Sequence, residues 1–234
     1  MPEPDSPAAV LFDLDGTFAD TAPDMTAALN RLLAHYDCAP IPLEQARAHV
    51  SAGSRGMLAL GFGIGPRDPG YARLRDEYLT LYAADIHRDT CLFPGIAELV
   101  ATLDARALCW GIVTNKPGWL TEPLLEAMAL ESQPACVVSG DTAARAKPHP
   151  EPLFHACGMI ERDPRACWYV GDDQRDIQAG QAAGMRTLAA LYGYLGIEVS
   201  PHDWGADGLL EHPLEVLRFV SRPAPAAHRT GPLR

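Results

Sequence analysis

Near its N-terminus the chain reads Val10-Leu11-Phe12-Asp13-Leu14-Asp15-Gly16-Thr17, an apolar segment that ends at two carboxylates. The continuous apolar run from Ala8 to Phe12 predicts a strand that is buried on both faces, as in a parallel sheet. Because side chains alternate along an extended chain, Asp13 and Asp15 should project to the same side where the strand leaves the core. Two like charges in such a place favour a bound cation.

The turn after these carboxylates could serve an anion. Gly16 permits a positive φ, and we expect the backbone N–H groups of the turn and the Thr17 hydroxyl to face a bound phosphate. The arrangement suits phosphoryl transfer, with one carboxylate as nucleophile, the second as proton donor and acceptor, and Mg²⁺ screening both. A strand followed by an ordinary Asp-Gly turn is the alternative for this short motif, so the rest of the chain has to decide.

Composition limits the function classes. The 234 residues suffice for one large domain or two small ones, and the net charge of −11 argues against nucleic-acid and anionic-membrane partners. No segment approaches the ~20 apolar residues of a membrane span, and the acidic, proline-rich start is unlike a signal peptide. The six cysteines are scattered, which is typical of small buried hydrophobes in a reducing compartment. We therefore expect a cytoplasmic protein, monomeric or homodimeric, with a small-molecule substrate.

A block of helices should follow the first strand. Asp20-Thr21-Ala22-Pro23 predicts a helix start, with Asp20 or Thr21 as the capping residue and the proline in the first turn. Apolar residues recur at helical spacing up to Tyr36, and again in three segments: Leu43–Val50, Arg55–Phe62 and Tyr71–Ile86. No strand pattern lies between Asp20 and about Cys91. Residues 20–91 are therefore predicted to form a helical cap domain.

From Phe93 onward strands and helices alternate. The predicted strands are Leu108–Val113, Ala135–Val138, Ala166–Val170, Arg186–Leu191 and Ala206–Leu210, and the predicted helices are Ile96–Leu103, Trp119–Met128, Pro152–Cys157, Ile177–Ala183 and Pro213–Val220. Repeated β-α units indicate an α/β fold, a doubly wound parallel sheet whose ligand crevice lies at the carboxyl ends of the strands. Residues 1–19 and 92–220 would form this core domain, and the proline-rich tail 221–234 is predicted to be disordered.

Polar residues follow the predicted strands. Thr114, Asn115 and Lys116 could hydrogen-bond phosphate oxygens, or they could form a turn that begins the next helix. Lys147 precedes a proline, which keeps it out of a helix, so it is either a fixed positive charge in the cleft or a solvated surface lysine.

A second buried strand also delivers carboxylates into a glycine turn, at Gly171-Asp172-Asp173 with Asp176 beyond it. Helix N-terminal capping explains part of this cluster. Acids at the ends of two separate strands nevertheless favour a shared cation with oxygen ligands, for which Mg²⁺ is the natural choice.

In chain order, these motifs resemble the four motifs of the haloacid dehalogenase superfamily, in its phosphatase branch. The resemblance covers nearly the whole chain up to Val220, and it implies a core like the one predicted above with a cap inserted after the first motif. It also implies roles for the motif residues: Asp13 as nucleophile, Asp15 as general acid and base, Lys147 for charge neutralisation, and Thr114 and Asn115 for phosphate binding.

The resemblance further implies a Mg²⁺ site. Asp13, Asp172 and the backbone carbonyl of Asp15 would hold the ion. Asp173 and Asp176 would complete the acidic loop, and either of them could lie nearer the metal. Gly16, Thr17 and Lys116 remain further candidates for contact with phosphate.

Substrate choice is expected to come from the cap. Ser51 to Gly56 combines flexible glycines with a cation, so Arg55 could contact a substrate carboxylate or hydroxyl, or it could be a surface arginine between cap helices. Within the superfamily the chain is similar to phosphoglycolate phosphatases and to N-acetylmuramic acid 6-phosphate phosphatases, whose substrates both carry a carboxylate.

Two other activities use similar residues. A sugar-phosphate mutase has the same motifs but protects its phospho-aspartate from water. A signalling receiver domain also forms an aspartyl-phosphate, but it needs no cap.

Overall fold

The computed structural model describes residues 7–196 and 199–220, so the tail predicted to be disordered lies outside it. In chain order the strands are β1 (Ala9–Phe12), β2 (Ala19–Asp20), β3 (Cys91–Leu92), β4 (Cys109–Val113), β5 (Val137–Val138), β6 (Cys167–Gly171), β7 (Arg186–Ala190) and β8 (Gly208–Leu210). The helices are α1 (Ala22–His35), α2 (Leu43–Val50), α3 (Gly53–Phe62), α4 (Tyr71–Ala84), α5 (Ile96–Ala105), α6 (Gly118–Met128), α7 (Glu151–Met159) and α8 (Gln174–Ala182), with 3₁₀ turns at Pro164–Ala166, Pro201–Asp203 and Pro213–Arg218. Within the described ranges, no helix combines the length and the apolar character that a membrane crossing requires.

Six strands form one parallel sheet in the order β5-β4-β1-β6-β7-β8. After β1 the chain adds β4 and β5 on one side, and it then crosses over to add β6, β7 and β8 on the other side. The order in which strands are added therefore reverses at β1. The carboxyl ends of β1, β4 and β6 therefore meet at one edge, where open parallel sheets bind ligands. The predicted doubly wound α/β fold is confirmed.

Strand β1 is buried on both faces, as its sequence predicts. Val10 and Phe12 belong to the hydrophobic cluster on one face of the sheet, and Ala9 and Leu11 belong to the cluster on the other. All four side chains are fully buried, so the strand can carry its terminal carboxylates from the interior directly to the edge.

Helices α1 to α4 form a helical bundle with a hydrophobic core of its own, which includes Leu29, Leu32, Met57 and Tyr78. The bundle is inserted between β2 and β3, which pair with each other as a two-stranded antiparallel ribbon. The sequence did not reveal this ribbon, because two residues per strand are too few to show an alternating pattern.

Three local predictions need correction. Helix α1 starts where expected but has no side-chain cap, because the Thr21 hydroxyl and the Asp20 carboxylate bind other partners. Helix α3 already begins at Gly53, so the predicted flexible loop from Ser51 to Gly56 is reduced to a short turn. The last predicted helix is a 3₁₀ helix, Pro213–Arg218.

The buried carboxylate of Asp24 ties α1 to the segment that returns to the sheet. It accepts hydrogen bonds from the backbone N–H groups of Arg88, Asp89 and Thr90 at 2.9 to 3.1 Å, and from the Thr90 hydroxyl at 2.7 Å. Four donors on one carboxylate fix the exit of the helical bundle beside its entrance.

Candidate active site

Three buried carboxylates converge at the carboxyl edge of the sheet. Asp13 follows β1, Asp172 follows β6, and Asp176 lies in the first turn of α8. One oxygen from each lies within 4.8 Å of the others. The predicted meeting of acidic groups from two distant strand ends is confirmed.

Lys147 supplies the positive charge of this cluster. Its Nζ lies 2.8 Å from Asp13 Oδ1 and 2.7 Å from Asp176 Oδ1, and the side chain is 2 % exposed. Burial lowers the pKa of Lys147, but the two carboxylates outweigh that effect and leave the pKa raised, so the ammonium stays charged. The alternative of a solvated surface lysine is therefore wrong.

Three neighbours hold Lys147 in place. The Asn115 side chain donates to the Lys147 carbonyl oxygen and accepts from its N–H, both at 3.0 Å. Nζ also donates to the Val113 carbonyl oxygen at 3.0 Å and to the Tyr169 hydroxyl at 2.7 Å. Asn115 thus orients the lysine, and its predicted contact with phosphate stays a prediction.

The cluster carries more negative charge than the protein balances. Burial raises the pKa of Asp13 to about 7 in spite of Lys147. Burial, followed by the charges of Asp13 and Asp176, raises the pKa of Asp172 well above its usual range. Asp13 Oδ1 also has no hydrogen-bond partner, because Lys147 approaches it as an ion pair without hydrogen-bond alignment.

Three carboxylates beside one ammonium leave two negative charges, and the donor atoms are all oxygens. These residues therefore fit a divalent cation such as Mg²⁺.

The two acids of the α8 turn have different environments. Asp173 caps α8 and pairs with Arg175, whose Nε and Nη2 donate at 2.8 and 2.9 Å. Burial raises the pKa of Asp173, but these bonds outweigh it and leave the pKa lowered. Asp176 completes the capping box and also faces Lys147, so it is the one that joins the metal-type cluster.

Asp172 sits in a close-fitting cradle. The Thr17 hydroxyl donates to its Oδ1 at 3.0 Å, while the Tyr194 N–H and the Ser51 hydroxyl donate to its Oδ2 at 2.9 and 3.1 Å. Gly16 has φ +87°, as the sequence predicts, and a Cβ there would lie 2.2 Å from Asp172 Oδ2. Only glycine fits this position.

Gly16 and Thr17 therefore support Asp172. The Gly16 N–H donates to the Ala19 carbonyl oxygen at 3.0 Å, and the Thr17 hydroxyl is occupied by Asp172. Neither residue lines the cleft between the sheet edge and the helical bundle, and the contact with phosphate predicted for them stays a prediction.

A cleft of about 220 Å³ lies between the sheet edge and the helical bundle. Its cationic lining residues are Lys116, Lys147, Arg55, Arg75 and Arg175. Its apolar wall is formed by Met25, Val50, Leu79 and Leu120. The cationic side chains that an acidic protein needs for a phosphate are thus gathered in one cleft, as the composition predicted.

Asp15, Lys116 and Tyr82 also line the cleft. Asp15 Oδ1 accepts from the Thr21 hydroxyl at 2.6 Å and from Lys116 Nζ at 2.9 Å. Lys116 Nζ also donates to the Tyr82 hydroxyl at 2.9 Å. Thr114 lines the cleft and accepts the Lys116 N–H at 3.1 Å.

Arg55 lies on α3 with an exposed side chain at the cleft, and it has no ion-pair partner among residues 7–196 and 199–220. This position leaves its guanidinium available to a substrate.

Several site residues have no motif signal. Tyr169 could have been suspected, because a hydroxyl in an otherwise apolar buried strand needs a partner. Ser51 and Tyr82 reach the site only through the packing of the helical bundle on the sheet, which no local pattern reveals. Arg175 lies on α8 beside the motif aspartates and donates to the Ser51 carbonyl oxygen.

Known proteins are similar to this chain in sequence and in fold. The family model of the haloacid dehalogenase-like hydrolases matches residues 10–190. An N-acetylmuramic acid 6-phosphate phosphatase from Pseudomonas putida is 41% identical over 212 residues, covering 91% of this chain and 95% of the relative. A phosphoglycolate phosphatase from Xanthomonas campestris pv. campestris is 42% identical over 219 residues, covering 94% and 99%. A solved structure of a predicted phosphoglycolate phosphatase from Haemophilus somnus superposes with a TM-score of 0.81 at 22% identity, covering 92% of this chain and 98% of that one.

Proposed function

Because the chain belongs to the haloacid dehalogenase-like hydrolase family and is a phosphatase of that family, we propose that it uses Mg²⁺ and hydrolyses small phosphomonoesters through an aspartyl-phosphate on Asp13. The observation that carries the proposal is the convergence of Asp13, Asp172 and Asp176 around Lys147, with Asp15 facing the same cleft.

Asp13, Asp172 and Asp176 would hold the metal ion, and the backbone carbonyl of Asp15 stays a predicted further ligand. When bound, Mg²⁺ supplies positive charge that stabilises the charge on the transferring phosphoryl group. Lys147 keeps the Asp13 carboxylate in place and offsets part of its charge.

The reaction proceeds in two steps. An oxygen of Asp13 attacks phosphorus, and the bond to the leaving alkoxide breaks while Asp15 donates a proton to that oxygen. A water molecule then attacks the aspartyl-phosphate, and Asp15 takes up the proton that the water loses. The sum is ester plus water giving alcohol plus phosphate, with both aspartates restored.

Asp13→Asn tests this assignment. The amide has nearly the same shape but is a far weaker nucleophile, so phosphate release should fall to background. Circular dichroism and the unfolding midpoint should remain close to wild type. Retained phosphatase activity in this variant would remove Asp13 from the role of nucleophile.

Two substrates are favoured by different observations. 2-Phosphoglycolate is first, because it is small enough for a cleft of about 220 Å³, and because of the 42% identical relative. N-Acetylmuramic acid 6-phosphate is second, because of the 41% identical relative and because the apolar wall of the cleft could pack against the larger organic part of this substrate.

A phosphate-release screen with and without Mg²⁺ separates these substrates. It should contain both of them and common sugar phosphates, and compare kcat/KM. A long-lived phospho-enzyme without released phosphate would indicate a mutase. Arg55→Met should raise KM for both carboxylate-bearing substrates and leave KM unchanged for an alkyl phosphate that has no carboxylate.

Residues 20–91 are proposed to act as the cap domain of this phosphatase. The proposal is supported by the separate hydrophobic core of the helical bundle and by its position over the cleft. Substrate choice would then depend on bundle residues, since the sheet edge contacts only the phosphoryl group.

A further inference from the structure

Lys116 is enclosed between the sheet edge and the helical bundle. Its Nζ lies 2.9 Å from Asp15 Oδ1, 2.9 Å from the Tyr82 hydroxyl and 4.6 Å from the centre of the Tyr82 ring. The side chain is 5 % exposed. An ammonium with these neighbours has little of its donor capacity left for a phosphate.

The backbone of Lys116 is fixed as firmly as its side chain. Its N–H donates to Thr114 Oγ1 at 3.1 Å. Its carbonyl oxygen accepts from the Gly140 N–H at 2.8 Å and from the Thr121 hydroxyl at 3.1 Å. The ammonium is therefore a fixed point from which another group can be oriented.

Asp15 is the group that this fixed point orients. Its Oδ1 takes both donors, the Thr21 hydroxyl and Lys116 Nζ, while Oδ2 has no hydrogen bond within the described part of the chain. A carboxylate held through one oxygen presents the other in a defined direction, which proton transfer requires.

We propose that Lys116, held by Tyr82 of the helical bundle, is a positioning residue that aims the free oxygen of Asp15 at the leaving group. The inference rests on the proposed function, because it assigns Asp15 the role of general acid. It replaces the phosphate contact that the sequence suggested for Lys116.

Leaving-group dependence tests this role. An alkyl phosphate needs a proton on its leaving oxygen, whereas p-nitrophenyl phosphate expels a stable anion that needs none. Misplacing Asp15 should therefore slow phospho-enzyme formation from the alkyl ester and leave formation from the nitrophenyl ester nearly unchanged. Rapid-quench and burst measurements isolate this first step from hydrolysis of the phospho-enzyme.

Two variants remove the two contacts. Lys116→Met keeps the length of the side chain and removes the ammonium, and it should lower the alkyl-to-nitrophenyl rate ratio by about 10- to 100-fold. Tyr82→Phe removes only the hydroxyl that holds Lys116, and it should lower the ratio in the same direction by about 3- to 10-fold.

Tyr78→Phe is the matched control. Tyr78 lies one turn earlier on α4 and also lines the cleft, but its hydroxyl donates to the Met25 carbonyl oxygen at 3.3 Å and does not reach Lys116. The rate ratio of this variant should equal that of wild type.

Each outcome is decisive. An equal loss on both esters with a raised KM would make Lys116 a phosphate ligand and overturn the proposal, as would a wild-type ratio in Tyr82→Phe. If Lys116→Met fails to fold, Tyr82→Phe still decides. If the wild-type protein hydrolyses neither ester, the proposed function fails, and that failure is seen before any variant is compared.

Discussion

Replacing Asp172 by asparagine should make the metal-free protein more stable and at the same time remove its response to Mg²⁺. The amide can keep all three contacts, with its oxygen accepting from Tyr194 and Ser51 and its nitrogen donating to the Thr17 hydroxyl. Only the charge is lost. The variant therefore isolates the electrostatic cost of bringing the carboxylates together.

The sign of the effect follows from the pKa values. In the unfolded chain aspartates ionise near pH 4. In the folded, metal-free protein burial raises the pKa of Asp13 to about 7 and that of Asp172 well above its usual range. Between pH 4 and 7 the folded state thus binds more protons than the unfolded state, so the free energy of unfolding falls as the pH rises.

The magnitude is up to about 1.4 kcal/mol per pH unit for each such group. Without Asp172 the decline should be shallower by up to that amount. At pH 7 the metal-free variant should therefore be more stable than the wild type. Lys147, whose pKa is raised by the carboxylates after opposition from burial, stays charged throughout this range and does not contribute.

Mg²⁺ should act in the opposite direction. At a hundredfold excess over its dissociation constant it stabilises the wild type by about 2.7 kcal/mol, and the variant should gain little of this. Urea unfolding followed by tryptophan fluorescence at pH 5, 6, 7 and 8, in EDTA and in Mg²⁺, gives all the required values.

Asp173→Asn is the control, because Arg175 lowers the pKa of Asp173 against the effect of burial. It should destabilise the protein and leave the Mg²⁺ gain intact. The reasoning fails if Asp172→Asn lowers metal-free stability at pH 7 or keeps the full gain from Mg²⁺.

Two further substitutions probe the cradle and the anchor of the helical bundle, both by urea midpoint. Gly16→Ala should lower the free energy of unfolding by about 2 kcal/mol or more and abolish the Mg²⁺ gain, because φ is +87° and the added Cβ would lie 2.2 Å from Asp172 Oδ2. Gly53→Ala is the control: φ is +60° and nothing lies within 4 Å of the added Cβ, so it should show only the smaller cost of backbone strain. Asp24→Ala should cost about 3 kcal/mol, because three backbone N–H groups at residues 88–90 and the buried Thr90 hydroxyl lose their acceptor. Asp68→Ala, which loses one exposed bond from the Gly65 N–H, should cost much less.

The parts of the site that the sequence predicted lie where local pattern and topology agree. A buried parallel strand such as β1 must be apolar until its last residue, so a carboxylate directly after it marks the carboxyl edge of the sheet. Asp13, Thr114 and Asp172 each follow such a strand, and the parallel order brings their strands side by side.

The parts that were missed depend on competition between partners. Thr21 stands where a helix cap is expected, but its hydroxyl donates to the Asp15 carboxylate. A hydrogen bond to a charged acceptor is stronger than one from a neutral helix N–H group. Ser51 and Tyr82 lie on a bundle whose own pattern is that of an ordinary amphipathic fold. Their reach into the site is set by how the bundle sits on the sheet, which is long-range information.

The helical bundle completes the chemistry of the sheet edge. The α/β part of the chain supplies Asp13, Asp172, Asp176 and Lys147. The helical bundle supplies the Ser51 hydroxyl, which binds Asp172, and the Tyr82 hydroxyl, which holds Lys116. Tyr194 joins the two parts, since its N–H donates to Asp172 while its hydroxyl donates to Asp20 and accepts the Ala22 N–H at the bundle entrance. A bundle that moved away from the sheet would therefore leave both the metal-type cluster and Asp15, the proposed general acid, without part of their support, so we expect phosphoryl transfer only while the bundle is packed on the sheet.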